Sequence, residues 1–398
     1  METKHTTPDY SGGGLLNLMS SLIQARGGRC EHPPLTGLAL DDLTCATNLV
    51  LLIVDGLGAN WLERHAPDGL LSRGRWGVIS SVFPSTTAAA IPTVLTGLSP
   101  LQHGLTGWFT YFGELGSVLA VLPGRPRYGG VSYRAAGIDP LRLFTHRSIF
   151  DRIDTRGLAV SPRFIAYSDF NRAHQGRGEL RPFESLTEMF QQTLRALRPR
   201  RRWGRPSATP ERNYLYLYWP ELDRIGHEHG IESAAALAHL TEIEQALESF
   251  LIAAAGTDTV LLVCADHGQI DTRPEDIIDL AHHPELVECL TLPLCGEPRA
   301  AWAHVRADCA RRFESYCISE LGDAVALMPS SQVIEAGLLG PGPAHPRIHD
   351  RVGDYCLLPN ARYVLRQTLP FEDPPTHVGV HGGLSDSEIQ VPLCLFRP

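Results

Sequence analysis

The sequence predicts an α/β fold built on an open, mostly parallel sheet with helices on both faces. Segments that read as strands alternate with segments that read as helices, which is typical of such a sheet. The strand-like segments are continuous apolar runs, as expected for strands buried on both faces. Polar residues follow several of these runs, at the carboxyl ends of strands where this class of sheet binds its ligands. The clearest strand-like runs are 49–54, 76–82, 213–219 and 259–265.

Helical patterns follow two of these runs. Thr86 and Thr87 precede three alanines, so the spacing predicts a helix that starts there, because Thr caps helices and Ala favours them. Pro92 is tolerated near the first turn of this helix but not deep within it. Residues 233–255 repeat Ala, Leu and Ile at helical spacing and predict a long second helix.

The remaining segments suggest how the chain is divided. Residues 1–35 are polar and contain three consecutive glycines, so we expect a peripheral N-terminal arm. Residues 36–398 then form one large domain. Within it, residues 109–200 mix aromatic residues, Gly, Pro and Arg and interrupt the alternation, which suggests a cap-like insertion. The arginine-rich run 198–202 is expected to be a solvated loop.

Composition excludes several kinds of protein. The chain has 398 residues, 43% of them hydrophobic, and a formal net charge of −9. That charge disfavours a nucleic acid polymer as the main partner. The amino terminus lacks a signal-peptide pattern, and no apolar run is long enough to cross a bilayer, so no membrane partner is expected. Nine scattered cysteines without CxxC pairs read as reduced thiols, and we expect a cytoplasmic protein.

Acidic and histidine side chains recur at places that this sheet brings together. Asp55 follows the first run and Asp266-His267 follow the last. Asp223 and His227 are four residues apart, which places them on one face of a helix. Each feature alone is weak, since a DxxxH occurs by chance and a strand-terminal Asp-His-Gly is more often a turn. Their joint occurrence predicts a metal site, and mixed Asp and His ligands suit zinc or manganese better than calcium.

The sequence motifs, and the order in which they occur, resemble those of a known family. The sequence resembles the type I phosphodiesterase/nucleotide pyrophosphatase branch of the alkaline phosphatase superfamily over roughly 47–395. The matching blocks are VDGLG at 54–58, FPSTTAAAIPTVLTGLSPLQHGLTGW at 83–108, WPELDRIGHEHG at 219–230, ADHG at 265–268 and HGGLSDSEIQVPL at 381–393. The resemblance implies that residues 36–398 are an alkaline-phosphatase-like catalytic domain.

The resemblance also implies a two-metal centre, usually zinc, and a threonine nucleophile that forms a covalent phosphothreonine. Thr87 matches the nucleophile, although the residues leave Thr86 open. His377 is the reserve for His381, and His229 is a further candidate that points elsewhere on a helix. The first metal would be held by Asp55, Thr87, Asp266 and His267, and the second by Asp223, His227 and His381.

The substrate is less defined than the centre. Trp108 stands where the family carries an Asn that binds phosphate, so it is either a substrate contact or a core tryptophan. Two divalent ions, three carboxylates and one alkoxide sum to zero, and no Arg or Lys occurs in 83–111. A phosphodiester or pyrophosphate bond suits a neutral site better than a phosphomonoester dianion. If the fold placed Arg134 or Arg299 in the site, its positive charge would remove this argument against a phosphomonoester.

We therefore expect a hydrolase of a small phosphate ester, possibly a nucleotide. A phosphomonoesterase, a phosphonate hydrolase or a phosphomutase-like enzyme would use the same two-metal centre. A formylglycine sulfatase is disfavoured because no Cys-x-Pro-x-Arg occurs and no Cys lies near Thr87. A metal-binding scaffold protein without activity would be expected to have lost a ligand or the nucleophile, and the chain retains all of them.

Overall fold

The computed structural model describes residues 5–198 and 211–398, so most of the arginine-rich run at 198–202 lies outside the described residues. The strands are β1 (Asn48–Val54), β2 (Arg75–Ser80), β3 (Phe109–Phe112), β4 (Ser117–Ala120), β5 (Arg125–Pro126), β6 (Arg156–Pro162), β7 (Glu179–Phe183), β8 (Asn213–Trp219), β9 (Thr259–Cys264), β10 (Ile270–Asp271), β11 (Ile277–Asp279), β12 (Cys295–Glu297), β13 (Ala300–Ala303), β14 (Val325–Pro329), β15 (Tyr355–Pro359), β16 (Val364–Arg366), β17 (Gly379–Val380) and β18 (Gln390–Phe396).

Helices of very different length connect these strands. The α-helices are α1 (Leu15–Ala25), α2 (Leu40–Cys45), α3 (Ala59–His65), α4 (Leu70–Arg73), α5 (Thr87–Thr96), α6 (Pro100–His103), α7 (Pro140–Leu143), α8 (Arg163–Ala166), α9 (Asp169–Gln175), α10 (Leu186–Leu197), α11 (Glu221–His229), α12 (Ala234–Ala253), α13 (Pro284–Glu288), α14 (Ala310–Tyr316), α15 (Ser330–Glu335), α16 (Ile348–Val352) and α17 (Asp386–Ile389). Within the described ranges, no helix is long and apolar enough to cross a membrane.

The main sheet confirms the predicted fold class. Its seven strands run in the order β2-β18-β9-β1-β8-β6-β7, and only β18 is antiparallel to its neighbours. Every residue of β1, β8 and β9 is buried, which requires cover on both faces of the sheet. The four predicted runs form β1, β2, β8 and β9, and the predicted long helix forms α12.

A second sheet of seven antiparallel strands packs its own core beside the main sheet. Its order is β14-β15-β13-β12-β3-β4-β5, so a hairpin from early in the chain joins strands from late in the chain. Trp302 of β13 is fully buried and donates its indole N–H to the carbonyl oxygen of Thr106 at 2.8 Å. This bond ties the second sheet to the segment that follows α6.

The N-terminal residues are not the peripheral arm expected from the sequence. Ten of the eleven residues of α1 are buried, and α1 packs against α5. The glycine run suggested a peripheral arm, but here glycine allows close packing. A Cβ at Gly14 would lie 2.2 Å from the carbonyl oxygen of Asp9. The amide of Ser80 on β2 also bonds the Gly13 carbonyl oxygen at 2.9 Å. This segment is therefore part of the main domain.

Residues 109–200 do not form one cap-like insertion. The β3–β5 hairpin belongs to the second sheet, whereas β6 and β7 complete one edge of the main sheet, with α10 packed on them. Tyr133 and Phe170, which the sequence placed in a cap, are buried in the main core. The prediction was wrong because Pro and Arg interrupt the apolar pattern of β6 and β7, both of which lie towards the edge of the sheet.

Candidate active site

Three neighbouring strands deliver polar side chains to one edge of the main sheet. β1 lies between β9 and β8, and all three run parallel, so their carboxyl ends meet. Asp55 follows β1, Asp266 and His267 follow β9, and α11 begins two residues after β8. Gly268 is required after His267, because a Cβ there would lie 2.0 Å from the carbonyl oxygen of Ser387.

Asp55, Asp266 and His267 form one compact group of buried ligand atoms. One ligand atom from each lies within 4.8 Å of the others. His267 Nε2 is 3.3 Å from Asp55 Oδ1 and 3.7 Å from Asp266 Oδ2. The Thr87 hydroxyl lies beside this group, 3.1 Å from His267 Nε2 and 3.4 Å from Asp55 Oδ1.

Asp223, His227 and His381 form a second group with the same 4.8 Å limit. His227 Nε2 is 3.2 Å from Asp223 Oδ2, and His381 Nε2 is 3.8 Å from Asp223 Oδ1. The helical spacing of Asp223 and His227 on α11 produces the first contact. The two groups adjoin, because the rings of His267 and His381 stack with centroids 3.7 Å apart.

Backbone contacts orient all three histidines in the same way. The Nδ1 atoms of His227, His267 and His381 lie 2.8, 3.0 and 3.2 Å from the carbonyl oxygens of Gly379, Gly268 and Ser85 respectively. A carbonyl oxygen can only accept, so each Nδ1 carries the proton. Each Nε2 therefore faces the carboxylates, where its lone pair would be available to a bound cation, which is the orientation of a histidine that serves as a metal ligand.

The residues of both groups fit divalent cations. Asp266 Oδ2 is buried and has no hydrogen-bond partner among the described residues. Burial raises the pKa of Asp55, and the carboxylates of Asp266 and Asp223 raise it further. Burial likewise raises the pKa of Asp266. No Arg or Lys among the described residues pairs with these three crowded carboxylates, so they need compensating positive charge, which a bound cation would supply.

The second group shows the same need for a cation. Burial opposes ionisation of Asp223, but His227 and His381 hold its pKa below the usual value. Burial also disfavours charge on His227, yet Asp223 outweighs it and raises the pKa of His227 to about 9. Without a metal, a proton on His227 therefore takes the place that a cation would occupy between these two side chains.

The two adjacent threonines have different surroundings. Thr87 is the first residue of α5 and points its hydroxyl at Asp55 and His267. The Thr86 hydroxyl instead donates to Glu297 Oε1 at 2.7 Å. Thr87 is therefore the threonine that lies beside the first ligand group.

A cavity of about 680 Å³ opens from this edge of the sheet. Its lining includes Thr87, Asp223, His227 and His381, together with residues of the β3–β5 hairpin, the β12 region and the segment 365–377. Trp108 lines the cavity and is 36% exposed, so it is not a core tryptophan. From the segment 109–200, only residues of the hairpin region line this cavity.

The arginines named from the sequence lie outside the cavity. Arg134 pairs with Asp169 at 3.3 Å, and the buried Arg299 pairs with Glu388 at 2.9 Å. Three other arginines do line it. Arg127 is paired with Glu372 and Arg366 with Asp279, whereas Arg125 has no ion pair among the described residues.

The remaining histidine candidates lie outside both ligand groups. His377 is exposed and stacks on the ring of His227 with centroids 4.4 Å apart. His229 is exposed at the end of α11, and its nearest acidic partner is Glu228 at 3.8 Å. His381 is thus the histidine of its segment that joins a ligand group.

Sequence reasoning missed three residues at the site. Tyr218 donates its hydroxyl to Asp55 Oδ2, and Gln269 donates to Asp223. Glu297 is buried and accepts hydrogen bonds from Thr86 and from the backbone N–H of Trp108 at 2.6 Å. Burial raises the pKa of Glu297 to about 7. In the sequence, Tyr218 is one of several aromatic residues in an apolar strand, and Glu297 is 211 residues away from Thr86. No local sequence pattern therefore indicated that either residue belongs to the site.

Comparisons with known proteins agree with this geometry. The family model of the type I phosphodiesterase/nucleotide pyrophosphatases matches residues 49–383. No curated protein sequence matches the chain.

Solved structures share the fold at low sequence identity. Murine ectonucleotide pyrophosphatase/phosphodiesterase 5 is 15% identical, with 88% of each chain covered and a TM-score of 0.64. An inactive threonine-to-alanine form of the murine protein in complex with AMP is 14% identical, with 87% of each chain covered and a TM-score of 0.63. Phosphonoacetate hydrolase from Sinorhizobium meliloti, in complex with phosphonoformate, is 18% identical over 87% of this chain and 89% of that one, with a TM-score of 0.59.

The family match covers most of the chain, including all the residues of both ligand groups. The chain therefore belongs to the type I phosphodiesterase/nucleotide pyrophosphatase family and is a hydrolase of phosphoester bonds.

Proposed function

We propose that this protein is a two-metal phosphodiesterase that works through a covalent phosphothreonine at Thr87. The observation that carries the proposal is the position of the Thr87 hydroxyl, 3.1 Å from His267 Nε2 and 3.4 Å from Asp55 Oδ1. A nucleophile must lie within such reach of the groups that activate it. The inactive threonine-to-alanine form of the murine relative supports a threonine in this role.

Each of the two ligand groups would hold one cation. Asp55, Asp266 and His267, with Thr87, would hold one divalent ion, and Asp223, His227 and His381 would hold the other. Asp and neutral His ligands favour zinc, with manganese second. Two such ions, when bound, supply Lewis acidity that favours ionisation of the hydroxyl and neutralises phosphate charge.

The residues of the chain then divide the work of the reaction. Thr87 Oγ1 forms a bond to phosphorus while the bond from phosphorus to the leaving oxygen breaks. The Thr87 proton leaves to solvent, and the leaving oxygen takes a proton from solvent. A water molecule then attacks the phosphothreonine, releases the phosphate product and returns the Thr87 hydroxyl. Thr87 is the first residue of α5, so the helix backbone holds it in place during both steps.

The charge of the site favours a diester. Arg134 and Arg299 pair elsewhere, and the unpaired Arg125 of the cavity wall is exposed and forms no hydrogen bond with Thr87 among the described residues, so none of them is held beside Thr87 as the extra cation that a phosphomonoester dianion would need. The cavity of about 680 Å³ has room for a leaving group as large as a nucleotide. We propose a small phosphate diester or pyrophosphate as substrate, consistent with the AMP bound to the inactive murine relative.

The test compares bis(4-nitrophenyl) phosphate turnover by zinc-loaded, manganese-loaded and chelated protein, with acid quenching and mass spectrometry of the Thr87 peptide. We expect turnover only with metal and a phosphoryl adduct on Thr87. Turnover that survives chelation, or an adduct on Thr86 instead, would overturn the proposal.

A further inference from the structure

Glu297 is a buried acidic side chain in the cavity that the proposed mechanism does not use. It is the last residue of β12 and 7% exposed, and it lines the cavity beside Thr87, Asp223 and His227. Its Oε1 atom accepts two hydrogen bonds, from the Thr86 hydroxyl at 2.7 Å and from the Trp108 N–H at 2.6 Å.

These bonds place the carboxyl group next to the proposed nucleophile. Thr86 and Thr87 are adjacent, so their Cα atoms are about 3.8 Å apart. Glu297 and Thr87 also line the same cavity, so a phosphoryl group bound at Thr87 would share that cavity with the Glu297 carboxyl group. The Trp108 N–H is directed at Glu297, so it is not free to donate to a phosphate oxygen.

No ion pair neutralises the charge on this carboxyl group among the described residues. Of the arginines that line the cavity, Arg127 and Arg366 pair with Glu372 and Asp279, and the exposed Arg125 forms no ion pair with Glu297. The two donors on Oε1 stabilise the ionised form but add no net positive charge. A second negative charge on a phosphoryl group bound in this cavity is therefore repelled by a carboxyl group that is itself buried.

We infer that Glu297 is a specificity-determining residue that selects phosphoryl groups with one negative charge, as in diesters, and disfavours phosphomonoester dianions. This inference rests on the proposed function, because it assumes that the phosphoryl group binds at Thr87. It assigns Glu297 no part in bond breaking. Its effect is on which ester binds productively, so it changes the ratio of two activities and not the existence of either.

The first measurement uses probes that share a leaving group. Methyl 4-nitrophenyl phosphate carries one charge and 4-nitrophenyl phosphate carries two at pH 8.5. The zinc-loaded wild-type protein should have the higher kcat/KM for the methyl diester. A higher value for the monoester would overturn the inference without touching the metal centre or Thr87.

The second measurement compares Glu297→Gln and Glu297→Ala with the wild type. Both remove the charge, and glutamine can still accept the bonds from Thr86 and Trp108. We expect the monoester-to-diester ratio of kcat/KM to rise in both, on the order of tenfold or more for a unit charge at this range. A rise in the glutamine variant alone would overturn the inference, because donation by the amide would then be the cause.

Asp373→Asn is the matched control, since it removes the same charge from the exposed rim of the cavity. Its ratio should stay within about twofold of the wild type because an exposed charge is screened. An equal shift in Asp373→Asn would assign the effect to the overall field of the protein and overturn the inference. Metal content and melting temperature of each variant establish that the centre is intact. Loss of all turnover in the wild type would instead refute the proposed function.

Discussion

The imidazole rings of His267 and His381 stack with centroids 3.7 Å apart, although each belongs to a different ligand group. Their Nδ1 atoms bond separate backbone carbonyl oxygens, so each ring is held independently. The two proposed metal sites are therefore neighbours with separate supports. Loss of one ligand should empty one site before the other.

His381→Ala should lower the zinc content from two ions per chain to about one. The reason is that Asp223 and His227 remain as an incomplete pair, while the group at Asp55 is untouched. Elemental analysis after dialysis measures this directly. His377→Ala is the matched control and should keep both ions, because His377 only stacks on His227. Loss of an ion from the control but not from His381→Ala would show that the ligand is His377.

Thr87→Ala should retain zinc and lose diesterase turnover by on the order of 10³-fold or more, since the covalent route is closed. Thr87→Ser should keep a measurable rate because the hydroxyl remains. Steady-state kinetics on zinc-loaded protein tests both. Thr86→Ala should retain covalent turnover, because the Thr86 hydroxyl bonds Glu297 and not the ligand groups. Near-normal turnover in Thr87→Ala would contradict the mechanism.

Tyr218→Phe should weaken zinc binding at the first site by about 10- to 100-fold, as is typical when a partner of a metal ligand is removed. The Tyr218 hydroxyl donates to Asp55 Oδ2, and without it that carboxylate is less well oriented. Competition with a chelating dye reports the affinity. Tyr214→Phe is a matched control on the same strand, because the buried Tyr214 hydroxyl has no partner among the described residues. Equal weakening in both would contradict a specific role for Tyr218.

Three buried histidines should each lower folding stability as the pH drops below about 6.5, the ordinary pKa of histidine, whereas the raised pKa values of Asp55, Asp266 and Glu297 act in the opposite direction. Burial lowers the pKa of His103 to about 3 and that of His174 to about 4, and burial also lowers the pKa of His146. Between these values and 6.5 the unfolded chain binds protons that the native chain does not, so acid favours unfolding. Urea unfolding of chelated protein at several pH values measures the slope.

His174→Gln provides the comparison for that slope. The variant should be less stable at pH 7, because His174 Nδ1 donates to the Phe170 carbonyl oxygen at 2.8 Å. It should nevertheless lose less stability between pH 6.5 and pH 4.5, since one titrating group is gone. An unchanged slope would mean that His174 does not titrate in this range on unfolding.

The sequence predicted the parts of the site that follow local rules. Asp55, Asp266 and His267 come directly after apolar strands, and Asp223 and His227 share a helix face, so their grouping followed from topology. The roles of Tyr218 and Glu297 depend on which strands become neighbours. β12 reaches Thr86 only because a late strand joins an early hairpin in the second sheet, and no local pattern encodes that pairing.

The two incorrect predictions of domain organisation also involve contacts between segments that are far apart in the chain. Burial of α1 depends on its contact with α5, about seventy residues later, so a polar, glycine-rich start looked peripheral. β6 joins the main sheet by pairing with β8, a strand that comes later in the chain than β7. β7 joins the sheet by pairing with β6. The ligand roles, the identity of the metals and the cytoplasmic location stay predictions.

The cavity is lined by residues of the second sheet and by residues that follow strands of the main sheet, and the proposed mechanism divides the work between them. In that mechanism, the groups that act on phosphorus lie at or beyond the carboxyl ends of strands in the main sheet, whereas much of the remaining cavity lining comes from the β3–β5 hairpin and its partners in the second sheet. Cavity-lining positions of the hairpin, such as Arg125, can therefore change without altering the residues proposed to hold metal, whereas Phe112 and Leu119 of the same hairpin pack into the main core. Such a protein can acquire new substrates by altering one sheet while the reaction chemistry is preserved by the other, which makes the hairpin the place to begin when redesigning its selectivity.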